Sequence, residues 1–186
     1  MSEYPAIPLF AAPLLFFLFR AWGERTGDKP GSPGRLRRDL LARYAPSPDR
    51  LRCTLMDYFP DEQVITLVVY EDVSSSLVLL PDGNVIGHGE GAARGPTKRF
   101  VEAVAGAEDR MTAAHHYPLP RPGQARFWMV RPTMTLTSGD LWIADLQLGV
   151  TDWTGAFGSA LAAVQEIVEE SKLRHLEALR RQGHSV

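Results

Sequence analysis

The sequence predicts an α+β domain built on an antiparallel sheet of two hairpin-containing strand groups, each followed by a helix, with a long C-terminal helix packed on the sheet. Three observations carry this expectation. The run "QVITLVVYED" is rich in β-branched residues and reads as a strand. Two tight-turn signals, Pro81-Asp82-Gly83-Asn84 and Thr137-Ser138-Gly139-Asp140, each sit between apolar runs and read as hairpin reversals. From Trp153 onward Phe157, Leu161, Val164 and Val168 recur at helical spacing, which makes one apolar stripe suited to lie on a sheet.

The chain divides before the body begins. Residues 5–19, "PAIPLFAAPLLFFLF", carry no charge and are apolar on every side, so they must be buried somewhere. Pro5, Pro8 and Pro13 interrupt the run, which is shorter than the ~20 residues a bilayer span needs. A secretory signal is poorly matched too, since Glu3 precedes the run and "RAWGER" follows it. Residues 1–22 are therefore read as an apolar N-terminal segment and 23–34, "GERTGDKPGSPG" from Gly23, as a Gly/Pro-rich linker. Residues 35–186 form the single α+β domain. Arg35, Arg37, Arg38 and Arg43 follow the linker on a short helix, and basic residues beside an apolar run suit membrane contact through 5–19 with a cytoplasmic body. Docking of 5–19 on protein, through residues such as Phe16 and Phe17, stays open beside that reading.

Within the domain the strands begin near Asp61. Ser74, Ser75 and Ser76 read as a polar turn, and "SSLVLLPDGNVIGHG" as the first hairpin. A helix is expected over 96–107, with Phe100, Val101, Val104 and Ala105 on one side. "RFWMVRP" and "TMTLTSGDLWIADLQ" supply the second strand group. The last helix is expected over 152–181 with Thr151 or Asp152 at its N-cap. The order of short helix, three strands, helix, strands and long helix is similar to that of small bacterial secretion-chaperone-like domains, a likeness of element order alone.

At the C-terminal end Leu173 and Leu176 fall outside the stripe, by roughly 60–120° on a helical wheel. They point either to packing on the N-terminal segment or to self-association or a protein partner. Glu170 with Arg174 and Glu177 with Arg181 are i,i+4 pairs of the favourable orientation, so the end can stay helical in water.

Several chemistries are excluded by the residues. "GHGEGAARGPTKR" is the most motif-like run, yet Gly95 is followed by Pro96 and Lys98 comes too late for a P-loop, while Gly87, Gly89 and Gly91 miss the dinucleotide spacing. "HGE" matches half of a zinc-deaminase signature whose other half needs two cysteines, and Cys53 is the one cysteine present. No H-E-x-x-H, EF-hand or G-x-S-x-G pattern occurs, so no catalytic residue, metal or cofactor is expected. Asp57, Asp61, Glu62, Glu71 and Asp72 read as loop or strand-end residues, and Trp128, Trp142 and Trp153 as core. A formal net charge of −2 offers no general basic field, so no nucleic acid is expected.

One electrostatic oddity remains at the predicted helix start. Arg94, Lys98 and Arg99 surround an N-terminus that prefers anions, which makes them a candidate anion-binding set. The sequence thus supports a non-enzymatic, adaptor- or chaperone-like protein-binding domain of bacterial type, tethered by its apolar segment. Its alternative is a small enzyme or ligand-binding protein for an anionic compound.

Overall fold

The computed structural model describes residues 53–80, 84–89, 94–131 and 133–181, with backbone alone at 84–89 and 179. The segments 1–22 and 23–34, with Phe16 and Phe17, lie outside the described residues.

The strands are β1 (Cys53–Phe59), β2 (Val64–Tyr70), β3 (Ser75–Leu80), β4 (Asn84–Gly89), β5 (Thr112–Ala113), β6 (Gln124–Val130), β7 (Thr135–Thr137) and β8 (Leu141–Trp142). The helices are α1 (Arg94–Gly106), α2 (Ile143–Leu148) and α3 (Thr154–Arg181), with a 3-10 turn at Glu108–Arg110. All recorded pairings are antiparallel, in the order β4-β3-β2-β1-β6-β7-β5, with β8 also on β6. The fold is α+β, and its long C-terminal helix packs on one face of the sheet.

That face carries Met56, Leu67, Val69, Leu77 and Phe127, which share one buried cluster with Phe100 and Val104 of α1 and with Phe157 and Val164 of α3. Phe127 and Trp153 stack with ring centroids 5.1 Å apart, which seats the start of α3 against β6. Ala156, Ala160 and Ala163 are buried between the larger side chains, and their small size lets α3 approach its neighbours closely. In α1, Phe100 and Val104 are buried as expected, whereas Ala105 faces solvent.

Three local expectations are corrected. The first described strand, β1, starts eight residues before Asp61 and lies between β2 and β6 in the middle of the sheet. Asp57 hid it, because a carboxylate in mid-strand reads as a break. Ser75 and Ser76 belong to β3 and are buried, so of the three serines only Ser74 lies in the β2–β3 turn. It closes with Tyr70 N–H donating to Ser74 O, and Val73 carries its sharpest bend at φ 59°.

The second hairpin is present, but its reversal lies between β6 and β7. Val130 pairs with Thr135, and Arg131 N–H donates to Met134 O at 2.8 Å. The Ser138-Gly139-Asp140 stretch instead interrupts one strand line, since β7 and β8 both pair with β6 along the same edge. Gly139, at φ 72°, provides the left-handed residue this bulge requires. Ser138 bridges the gap by donating its N–H to Phe127 O at 3.0 Å and accepting Phe127 N–H on its hydroxyl at 3.0 Å. Beyond Trp142 the chain turns into α2, which ends on Gly149 in the left-handed conformation.

Thr151 marks the start of α3. Its hydroxyl accepts the Trp153 N–H, and Thr154 donates its own hydroxyl back to Thr151 O.

Candidate interaction surface

Helix α3 has two halves of different character. Up to Val168 it buries Trp153, Phe157, Ala160, Ala163, Val164, Ile167 and Val168. From 169 to 181 every residue whose side chain is described is at least partly exposed. At 1.5 Å per residue this outer half extends for about 20 Å.

Leu173 is 61% exposed on this outer half, and Leu176 is half-buried. At about 100° per residue both lie about 150° round from the middle of the buried face, so they turn away from the sheet. Arg174 and Glu170 form the expected intrahelical ion pair. The Glu177–Arg181 pair does not form; neither residue has a recorded ion-pair partner among the described residues. Outward-facing leucines on a helix that has left its core give up burial unless something covers them.

Further exposed apolar side chains, Trp142, Leu148 and Val150, bracket α2. Leu148 and Val150 flank the left-handed Gly149, so the helix end itself presents them to solvent. Trp142, expected in the core from its sequence, is 57% exposed. It lies outside because β8 sits at the end of the strand line, with Trp142 ring atoms over Gly123, where an added Cβ would lie 3.6 Å from the ring.

Arg94, Lys98 and Arg99 sit together on the first turns of α1, all exposed. Lys98 reaches Glu102 at 3.8 Å, and the first turn contains no acidic residue. Thr97, buried between them, donates toward Val73 O and Arg94 O, so it serves the joint between α1 and the β2–β3 turn.

The second face of the sheet holds a polar network that sequence reasoning missed. Asp57 accepts from the Thr66 hydroxyl at 2.8 Å and from the Trp128 indole at 2.6 Å. Next to it Arg126 lies 5.3 Å from the Trp128 ring centre, donates to Asp140 at 2.9 Å through Nε and to Pro118 O at 2.7 Å. Tyr117 adds a ring contact to Trp128 and shares a hydrogen bond with Thr135. These groups satisfy one another, which gives the network a scaffold role.

Cys53 packs among Leu55, Val68, Tyr70, Trp128 and Val130, and burial pushes its thiol up from 9.0 to about 12. A thiol held so far from its thiolate is a poor nucleophile at neutral pH. Among the described residues no three His, Cys, Asp or Glu side chains gather in a way that could hold a metal ion. None of the described helices is long and apolar enough to cross a membrane. Comparison with family models, with curated proteins and with solved structures returns no match.

Proposed function

We propose that the chain is a non-enzymatic, adaptor- or chaperone-like protein-binding domain. It docks a protein on the outer half of α3 and is tethered, on the cytoplasmic side, through its apolar N-terminal segment. One observation carries this reading: α3 continues about 20 Å beyond its last buried residue and turns Leu173 to solvent on the side opposite its core. Packing among the described residues makes no use of that arrangement, whereas an amphipathic partner surface does.

The test places a photoreactive side chain at Leu173 of the full chain in the cell that makes it, with the same probe at Ala178 on the other side of the helix. The reading expects protein adducts at 173 and few at 178. Equal or absent labelling at the two positions overturns it. The tether is tested by liposome co-flotation of the intact chain beside a version starting at Gly34. Flotation of the intact chain alone supports a membrane anchor; flotation of neither sends 5–19 to a protein surface.

A second reading, binding of an anionic compound, draws on the cationic first turns of α1, whose first turn carries no acidic residue. It expects phosphate-bearing ligands to raise the melting temperature, and the rise to vanish in Arg94→Ala/Lys98→Ala.

A further inference from the structure

We infer that the surface covered by the outer half of α3 is the same surface on a second copy of this chain, the two helices pairing antiparallel about a twofold axis between residues 174 and 175. The inference rests on the protein-binding reading above and names its partner.

The face that bears Leu173 and Leu176 also bears Glu169, Lys172, Glu177 and Arg180. These six recur at i, i+3, i+4, i+7, i+8 and i+11, the spacing of a single helix face. Of the charges among them, Lys172, Glu177 and Arg180 have no recorded ion-pair partner among the described residues, while Glu169 accepts only a neutral amide, from Gln165 at 3.0 Å. Off this face, Glu170 and Arg174 are paired within the helix, while Arg181 at its end has no recorded ion-pair partner among the described residues. Four charges without an ion-pair partner among the described residues thus surround the exposed leucines.

Their order is self-complementary. An antiparallel twofold about the midpoint of 174 and 175 sets Leu173 of one copy against Leu176 of the other. It sets Glu169 against Arg180 and Lys172 against Glu177, and symmetry repeats each pair. A parallel arrangement in register would place every one of these charges beside its own like. The partner copy lies on the side of α3 away from the sheet, so the described residues of the two bodies do not compete for the same space. A seam of two leucine pairs and four exposed ion pairs is small, which places the dimer at the weak, concentration-dependent end of protein association.

The test is sedimentation velocity of the full chain over a range of concentrations, at low and high salt. Wild type is expected to shift from monomer to dimer with concentration and to weaken as salt rises. Glu169→Arg sets arginine against Arg180 twice, and the dissociation constant is expected to rise about tenfold. Glu169→Arg/Arg180→Glu restores both pairs in swapped order and is expected to recover the dimer. Leu173→Asp abolishes it, and circular dichroism checks that the body stays folded.

A wild type that is monomeric throughout overturns the inference. So does a dimer that survives both Glu169→Arg and Leu173→Asp, or one that the swap does not rescue. Adducts at 173 to a different protein, with wild type monomeric, would overturn self-pairing and leave the wider protein-binding reading standing.

Discussion

The indole N–H of Trp128 donates to Asp57 Oδ2 at 2.6 Å, joining a carboxylate and an aromatic on the two central strands β1 and β6. Both residues are fully buried, and Thr66 on β2 reaches the other carboxylate oxygen at 2.8 Å. Three adjacent strands are thereby tied through one side chain. A carboxylate in such surroundings is tolerated only while its donors remain, because an unmatched buried charge is costly.

Asp57→Ala is therefore expected to lower stability by about 3 kcal/mol, since it strands the indole and the threonine hydroxyl together. Trp128→Phe removes one donor and much packing, with a loss of about 3 kcal/mol. Urea unfolding of each variant measures both, and a double variant that costs much less than the two losses added would show that they act as one unit. A cost below about 0.5 kcal/mol for Asp57→Ala would show that this network does not hold the strands together.

Val73 supplies an opportunity in the opposite direction. It is a β-branched residue held at φ 59°, in the left-handed region that such side chains disfavour. The turn keeps it there because Val73 N–H bonds Tyr70 O while Asp72 accepts both the N–H and the hydroxyl of Ser74. Val73→Gly is expected to stabilise the fold by about 1 kcal/mol, the steric relief exceeding the extra chain entropy of glycine. Thermal unfolding reads this as a higher Tm. A lower Tm would show that packing of the half-buried Val73 side chain outweighs its backbone strain.

What the sequence made legible follows from how regular each element is. The spacing of Trp153, Phe157, Val164 and Val168 announced α3, and the β-branched run announced β2, since both patterns come from burial of a repeating face. β1 was hidden because Asp57 has donors 9 and 71 residues away, which no local pattern reports. The bulge at Ser138-Gly139-Asp140 reads in sequence as a hairpin reversal for a related reason. Small polar residues with a left-handed glycine serve both structures, and only pairing with β6 separates them. At the surface, Leu173 and Leu176 stand out in the sequence because they break the stripe; that both turn away from the sheet is visible only in the fold.

That bulge yields its own expectation. The Ser138 hydroxyl accepts the Phe127 N–H at a point where the strand line offers no backbone carbonyl. Ser138→Ala leaves the Phe127 amide without that acceptor and should cost about 1–2 kcal/mol. Ser138→Thr keeps the oxygen and should recover most of the loss. Amide hydrogen exchange at Phe127 gives a direct reading, with faster exchange in Ser138→Ala alone. Unchanged exchange there would assign the protection to the surrounding strands.

Stability toward alkali is expected to pass through Cys53. Burial raises its thiol from 9.0 to about 12, so the folded state holds the proton more tightly than the unfolded chain does. The advantage is complete below pH 9 and is lost as pH climbs toward 12, because unfolding then releases a proton. Tyr58 is raised in the same direction by burial and adds to the loss above its ordinary range. Wild type should therefore lose stability between pH 9 and 11 relative to Cys53→Ala, measured by urea midpoints at each pH. In the same window a thiol reagent should react slowly with the native chain and rapidly once urea unfolds it. Fast labelling of the native chain at pH 8 would show that β1 opens locally and exposes the centre of the sheet, and the alkaline loss would then vanish with it.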